Sequence, residues 1–408
     1  MGKKSIDLEN LAAGLDISPS MHKYAVERYK GIAKYLSEKG IEAEFSPQGS
    51  FRTGTVTRPM KDGKETDFDI DVVCKLIYDK SKVTPEEVKK SVGEALAVDE
   101  TYRKKMRPED DRCWTLEYAD FTETIGLIMD VVPCVHEDAE GIIRLMMRSV
   151  DYRYAKSAIS ITERIKTNYK WLPSNPEGFG IWFDEINEPF LRAVIKEQKE
   201  AIYKNYRSIF EMSATVEDVP DYYVKSSLQR VIQLLKRHRD NYYYRNKDVL
   251  EYRPASIIIT SLAAKIAQNA PVLSLEELLS YIVDGIAEYA SLLQGKSPEM
   301  KKTGEIRDYI YKKDKKWYIP NPVDPEDNYA DSWTDETAKA FFGWTQAVKR
   351  DLSDTVCLNE TRYITGLQTS FGKNYVDSKI GVSEQKTTYN QPVKITQPTK
   401  PWGNNGLF

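Results

Sequence analysis

The segment from Asp67 to Leu76 alternates polar and apolar residues, and no other part of the chain constrains the fold as strongly. A period of two over this length predicts a β-strand with one apolar face and one polar face. The polar face carries the carboxylates of Asp69 and Asp71, and Asp67 is a further candidate just before them. The apolar face comprises Phe68, Ile70, Val72, Cys74 and Leu76. The strand must therefore pack one face against a hydrophobic core and leave carboxylates on the other.

The carboxylates of Asp69 and Asp71 project from the same face of this strand, where they repel each other unless a cation compensates them. Asp130 is a third carboxylate, within the apolar run LIMDVVPCV of a second predicted strand over 125–135. An aspartate in such a run must be paired, metal-bound or at the open end of the strand. Three carboxylates on neighbouring strands can hold two divalent ions about 4 Å apart, the arrangement used for in-line phosphoryl or nucleotidyl displacement. The alternative is an exposed edge strand with a solvated acidic face.

A small loop precedes the paired aspartates. Gln48, Gly49 and Ser50 follow a predicted strand over 41–45 and lead into the sequence FRTGT. Backbone N–H groups and a small hydroxyl, opened by glycine, form a good phosphate cradle. An ordinary strand-to-helix turn is the alternative. The order of glycine-serine loop, paired aspartates and third aspartate is far more specific than any one of these parts.

The predicted elements divide the chain into an α/β front half and a mainly helical back half. A helix is predicted over 20–39, and strands over 67–76, 114–118 and 125–135, while strand signals fade beyond about residue 152. Further helices are predicted over 184–209, 222–241, 254–268, 274–293 and 335–353. We therefore predict an α/β domain over 1–165, a helical domain over 166–375 and a flexible C-terminal tail over 376–408.

Composition narrows the class of protein. The 408 residues include 59 Lys and Arg against 62 Asp and Glu, so the basic excess typical of duplex-binding proteins is missing. No apolar run approaches the roughly 18 residues that span a bilayer. The N-terminus lacks the apolar segment of a secretory signal. Together these two features predict a cytoplasmic protein without a membrane partner. The four cysteines form no CxxC pair and the three histidines have no metal-ligand spacing, which favours Mg²⁺ or Mn²⁺ held by carboxylates over Zn²⁺.

These motifs resemble the polymerase-β-type nucleotidyltransferase superfamily and, more closely, the bacterial cGAS/DncV-like nucleotidyltransferases (CD-NTases) of cyclic-oligonucleotide anti-phage signalling. In the front half the resemblance is carried by GSFRTGT from Gly49, DID from Asp69 and MDVVP from Met129. In the helical half it is carried by VKSSLQRVIQLLKRHRD from Val224, RPASIIITSLAAK from Arg253 and NPVDPEDNYADSW from Asn321. The resemblance covers about residues 20 to 350.

One departure concerns the spacing between the loop and the aspartates. The stretch TRPMKDGKETDF separates them and is longer than in the minimal superfamily pattern, which leaves Asp67 as a rival ligand. We favour Asp69 and Asp71, because the family pattern alternates carboxylate and apolar residues and then continues hydrophobic, as DIDVVCKL does.

The resemblance implies a two-lobed fold, with a mixed-sheet catalytic lobe and a helical second lobe similar to oligoadenylate synthase and cGAS, and nucleoside triphosphates bound between them. It implies two Mg²⁺ or Mn²⁺ ions per site. The implied metal ligands are Asp69, Asp71 and Asp130, and the implied nucleotide-binding residues are Gln48, Gly49, Ser50, Lys236 and Ser256.

Each residue of the helical half also has a simpler interpretation. Lys236 belongs to the basic run KRHR and could be a solvated helix residue, and His238 in the same run is expected on the helix surface. Ser256 could satisfy backbone donors at the start of a helix. The basic run KKDKK at 312–316 is expected to be a solvated turn.

The implied activity is synthesis of a cyclic di- or trinucleotide from nucleoside triphosphates with release of pyrophosphate. A linear nucleotidyltransferase shares all of this metal chemistry and is the first alternative. A catalytically silent nucleotide-binding module on the same fold is the second. Accessory proteins of the family suggest, by analogy, that the apolar residues of the tail dock on a partner, and Trp402 is the largest of these residues. The alternative is that the tail folds back and covers an apolar patch on its own helical lobe.

Overall fold

The computed structural model describes residues 3–58, 60–61, 64–119, 121–122, 125–206, 223–296, 309–353 and 360–380. The strands are β1 (Ala43–Gln48), β2 (Met60–Lys61), β3 (Lys64–Glu65), β4 (Phe68–Leu76), β5 (Trp114–Tyr118), β6 (Leu127–His136), β7 (Ile159–Ile165), β8 (Asn168–Ser174), β9 (Tyr311–Lys313), β10 (Lys316–Tyr318), β11 (Pro320–Asn321) and β12 (Asp324–Asn328).

The main sheet is mixed, as predicted. Its strands are ordered β1-β4-β6-β7-β8, and β5 also pairs with β6. The pair β4–β6 is parallel, and the other pairs of this sheet are antiparallel. The apolar face of β4 is buried, with Phe68, Ile70 and Val72 each at most 1% exposed. This confirms the two-faced strand predicted from the alternation.

Helices flank the strands in the N-terminal half of the chain and predominate in the C-terminal half. They are α1 (Lys3–Gly14), α2 (Pro19–Glu38), α3 (Gly49–Arg52), α4 (Pro85–Val98), α5 (Glu100–Arg103), α6 (Ala139–Met147), α7 (Tyr152–Ala155), α8 (Pro176–Arg192), α9 (Ile195–Tyr206), α10 (Ser227–Arg245), α11 (Ser256–Ala267), α12 (Leu275–Ala287), α13 (Asp335–Val348), α14 (Glu360–Phe371) and α15 (Lys373–Ile380). Short 3₁₀ turns occupy 80–82, 247–252 and 288–294, and a π-helical turn follows α13 at 349–353.

Each of the two lobes has a large hydrophobic core of its own. In the first, apolar residues of α2 and α4, such as Leu36 and Val92, cover the apolar face of the sheet. In the second, α10 packs with α8, α11, α12 and α13, and the N-terminal helix α1 contributes Leu8 and Leu11. The first helix of the chain therefore belongs by its packing to the helical lobe.

The sheet extends past the predicted boundary at 165. Strands β7 and β8 pair along their whole length, from Ile159 opposite Ser174 to Ile165 opposite Asn168. Sequence reasoning missed both strands. For β8 the reason is its sequence NYKWLPS, in which a lysine and a proline interrupt the apolar pattern.

The predicted tail starting at 376 also differs from the structure. Residues 376–380 continue α15, and Val376 is fully buried in the core of the helical lobe. The neighbouring Tyr375 hydroxyl donates a 2.5 Å hydrogen bond to the carbonyl of Leu11 in α1. Residues 381–408, with the predicted docking residues of the tail, lie outside the described residues.

Among the described helices, none combines the length and the apolar composition that a membrane span requires.

Candidate active site

The three predicted metal-binding aspartates lie on one face of the main sheet. Strands β4 and β6 pair in parallel with Asp71 opposite Asp130 and Asp69 opposite Ile128. Opposite residues of a parallel pair point to the same face, and neighbouring strands lie about 4.8 Å apart. Asp69, Asp71 and Asp130 therefore form one carboxylate cluster on the face opposite the buried Phe68 and Ile70.

This carboxylate cluster is electrostatically strained. Burial raises the pKa of Asp71 to about 7, and the negative charges of Asp69 and Asp130 add to the effect. Burial also raises the pKa of Asp69, with a further contribution from Asp130 and a partial compensation from Lys236. These shifts mean that the ionised cluster is costly as it stands and that a cation would stabilise it.

The donor chemistry of the cluster fits a divalent metal. All three side chains offer carboxylate oxygens, which Mg²⁺ and Mn²⁺ prefer over nitrogen or sulfur. Within the described part of the chain, no three His, Cys, Asp or Glu side chains are already arranged to hold an ion. The strand register thus supplies suitable donors, and their carboxylates must turn toward a shared ion to bind it.

The glycine-serine loop lies directly against the cluster. Gln48 ends β1 opposite Asp71, and Gly49 and Ser50 begin the short helix α3. Gly49 has a φ of +61°, and a Cβ there would lie 2.8 Å from Asp71 Oδ2. Only glycine satisfies both the left-handed backbone and the close approach of the carboxylate. The structure therefore brings the loop and the aspartates together, as the sequence predicted.

Lys236 reaches this loop from the helical lobe. It is 4% exposed, and its Nζ donates hydrogen bonds to Thr55, at 2.9 Å to Oγ1 and 3.2 Å to the carbonyl oxygen. Burial lowers the pKa of Lys236 to about 7, the positive charge of Arg239 lowers it further, and Asp69 partly offsets both. The interpretation of Lys236 as a solvated helix residue is wrong.

Two glutamines of α10 hold the same loop. Gln229 Nε2 donates to the carbonyl of Thr53 at 2.9 Å, and Gln233 Nε2 donates to the carbonyl of Val56 at 2.7 Å. Together with Lys236 they recur at spacings of four and three, which places them on one face of the helix. We call this row the α10 clamp. Sequence reasoning missed the two glutamines, although their spacing was a usable signal.

Residues 43–127 match the family model described as cyclic GMP-AMP synthase DncV-like, nucleotidyltransferase domain. A c-di-GMP synthase of Roseivirga ehrenbergii is 30% identical over 334 residues, which cover 80% of this chain and 72% of that protein. The chain belongs to the DncV-like nucleotidyltransferases. The cyclic dinucleotide synthase CdnG of Bradyrhizobium diazoefficiens is 25% identical over 340 residues, covering 80% of this nucleotidyltransferase and 69% of CdnG.

The solved structure of the Bradyrhizobium diazoefficiens CD-NTase CdnG in complex with GTP has a TM-score of 0.67 to this nucleotidyltransferase. The match covers 93% of this chain and 99% of the CdnG chain, at 23% sequence identity. This likeness confirms the two-lobed fold that the resemblance implied.

Three further residues of the nucleotidyltransferase have surroundings that bear on the predicted site. Ser256 starts α11, and its hydroxyl accepts a 2.9 Å hydrogen bond from Arg239, so it is ordered by the helical lobe. His238 is fully buried, which contradicts the expected surface position. Its Nδ1 accepts from Trp344 Nε1 at 3.1 Å. Asp67 Oδ1 accepts from the backbone N–H of Gly126 at 2.6 Å, and this engagement supports Asp69 and Asp71 as the metal-binding pair.

Sequence reasoning missed a hydroxyl partner of the third aspartate. Thr115 of β5 lies opposite Asp130 in the antiparallel pair β5–β6. Its Oγ1 donates a 2.5 Å hydrogen bond to Asp130 Oδ1. The pairing depends on strand register, which cannot be read from the sequence.

A cavity of about 430 Å³ lies near the loop, but none of the three aspartates lines it. Its lining includes Phe51 and Arg52 of α3, Asp184 of α8 and Lys225 before α10. The candidate active site is therefore defined by the carboxylate cluster and not by this cavity.

Proposed function

We propose that this nucleotidyltransferase is a cyclic dinucleotide synthase that joins two nucleoside triphosphates and releases two pyrophosphates. One observation carries the proposal: Asp69, Asp71 and Asp130 share one sheet face directly beside the Gly49 loop. The family relatives named as a c-di-GMP synthase and a cyclic dinucleotide synthase support a cyclic product. GTP is accordingly the first substrate to test, and ATP the second.

In this proposal Asp69 and Asp71 would hold two Mg²⁺ or Mn²⁺ ions, and Asp130 would complete the second ion site. Such ions, when bound, stabilise charge on the reacting phosphate and lower the pKa of the acceptor hydroxyl. The raised pKa of Asp71 supports this assignment, because burial and the charges of Asp69 and Asp130 disfavour the ionised carboxylate and a bound cation would stabilise it.

The loop and the helical lobe bind the triphosphate of the donor nucleotide. Gln48, Gly49 and Ser50 supply backbone N–H groups and a hydroxyl, which suit phosphate oxygens. We assign Lys236 and Ser256 of the helical lobe to the same triphosphate. Lys236 adds a positive charge at the loop, where its Nζ already lies within hydrogen-bond distance of Thr55.

The reaction forms a phosphodiester bond in each of two steps. The acceptor ribose oxygen attacks the α-phosphorus of the donor, the bond from that phosphorus to pyrophosphate breaks, and pyrophosphate leaves. Asp130 accepts the proton of the attacking hydroxyl. A second transfer, from the joined nucleotide back onto the first, closes the ring and releases the second pyrophosphate. We further infer that this activity serves anti-phage signalling, which the resemblance to the CD-NTases implies, and that it takes place in the cytoplasm.

Labelled GTP and ATP, alone and together, test the proposal when incubated with purified protein and Mg²⁺ or Mn²⁺. We expect a product that resists phosphatase and has the mass of a cyclic dinucleotide. The variant Asp69→Asn with Asp71→Asn should lose this product, whereas the control Asp67→Asn should retain it. A phosphatase-sensitive product would instead identify a linear transferase. Loss of product in Asp67→Asn, with Asp71→Asn still active, would refute the assignment of the metal-binding pair.

A further inference from the structure

A buried hydroxyl lies against the third aspartate of the cluster. Thr115 is 7% exposed, in the interior of the sheet between β5 and β6. Its Oγ1 lies 2.5 Å from Asp130 Oδ1 and 3.6 Å from the sulfur of Cys113. An ionised carboxylate is an acceptor only, so the hydroxyl proton is directed to Asp130.

The threonine side chain is suited to hold a carboxylate in one orientation. A β-branched residue in a strand has few allowed χ1 rotamers, so the hydroxyl position is fixed by the backbone of β5. A short hydrogen bond to an ionised acceptor is stronger than one between neutral groups. The contact uses Oδ1 and restricts rotation of the carboxylate, so the direction of Oδ2 is fixed as well.

We propose that Thr115 is a positioning residue that orients Asp130 toward the metal and the acceptor hydroxyl. This inference rests on the proposed function, because it assigns Asp130 to the metal site. Hydrogen bonds to metal-binding carboxylates set ligand orientation, and their loss typically lowers metal affinity or activity about 10- to 100-fold. A purely structural role would affect folding stability alone.

Four variants separate these two roles. Thr115→Val and Thr115→Ala remove the hydroxyl, and Thr115→Ser retains it. The matched control is Thr162→Val, which makes the same change in the same sheet. Thr162 is fully buried, and among the described residues its Oγ1 has no hydrogen-bond partner. It lies on β7, away from Asp130 in the strand register.

Two measurements are made on each variant. The first is the shift in melting temperature during titration with Mn²⁺ alone, which reports metal binding without catalysis. The second is the rate of pyrophosphate release from GTP at varied Mn²⁺. For Thr115→Val we expect the Mn²⁺ midpoint to rise about 10-fold or more and kcat to fall, with KM for GTP within about threefold of wild type. Thr115→Ser and Thr162→Val should keep the wild-type Mn²⁺ midpoint.

Several results would overturn the inference. One is a Thr115→Val protein whose Mn²⁺ midpoint and kcat stay within twofold of wild type. Another is a Thr115→Ser protein as impaired as Thr115→Val. If both hydroxyl-free variants fail to fold while Thr115→Ser folds, the hydroxyl serves stability and the inference is wrong. A wild-type protein that binds Mn²⁺ but yields no cyclic product would refute the proposed function and leave the Mn²⁺ comparison intact.

Discussion

Replacing Lys236 by methionine should change the stability of the protein in a pH-dependent way. The side chain is 4% exposed, and its pKa falls from 10.5 to about 7 in the folded state, mainly through burial. Such a fall corresponds to about 5 kcal/mol of unfavourable free energy when the lysine is charged in both states. The two hydrogen bonds to Thr55 offset about 1–3 kcal/mol of this unfavourable free energy. At pH 6 the Lys236→Met protein should therefore be more stable than wild type by about 2–4 kcal/mol.

The sign of the pH effect follows from proton binding. Between pH 7 and about 10 the unfolded chain holds more protons on this lysine than the folded chain, so wild-type stability rises with pH. Linkage gives a gain of about 3 kcal/mol between pH 6 and pH 9, and the two proteins should be nearly equally stable at pH 9. Lys236→Met should also weaken binding of nucleoside triphosphates about 10- to 100-fold, the loss expected for a charge-assisted phosphate contact.

Urea unfolding at pH 6 and pH 9, without metal or nucleotide, measures the difference. The control is Lys34→Met on the outer face of α2, where the lysine side chain is 81% exposed and should show no pH-dependent difference. A Lys236→Met protein that is less stable than wild type at pH 6, or whose difference is the same at both pH values, would refute the assignment of a costly buried charge. Unchanged nucleotide affinity would refute its role in phosphate binding.

Two further predictions concern the cluster and its loop. Asp71→Asn should raise the melting temperature of the metal-free protein at pH 8 by a few degrees, because it removes a charged carboxylate whose pKa burial raises to about 7. The gain should shrink at pH 5, where wild-type Asp71 is protonated in the folded protein. Calorimetry in EDTA at the two pH values measures both effects. Gly49→Ala should lower both stability and synthesis, because its Cβ would lie 2.8 Å from Asp71 Oδ2 at a φ of +61°; a variant with wild-type melting temperature and rate would contradict the close approach.

The carboxylate cluster could be predicted because it depends on local pattern. Period-two alternation fixes which residues of β4 share a face, and Asp69 and Asp71 follow directly from it. Asp130 stood out because an aspartate inside an apolar run needs a reason. The position of Asp71 opposite Asp130 could not be predicted from the sequence, because strand register is a relation between two distant segments.

The environment of the basic run on α10 could not be predicted in the same way. A run such as KRHR is usually solvated, and each of its buried side chains depends on a distant partner. Lys236 bonds Thr55, His238 contacts Asp351, and Arg239 donates to Ser256. Burial of a charge is decided by such tertiary contacts, and neither the charge nor the helical period of the run reports them.

The two parts of the candidate site are therefore held by different means. The sheet alone fixes the aspartates, because β4 and β6 pair directly. The loop after Gly49 is fixed from both lobes, because the α10 clamp binds the backbone of Thr53, Thr55 and Val56. Under the proposed function, a substitution in the α10 clamp would alter triphosphate binding without moving the three aspartates, whereas a change in the β4–β6 register would displace both parts at once. The Gly49 loop depends on docking of the helical lobe, and the carboxylate cluster does not.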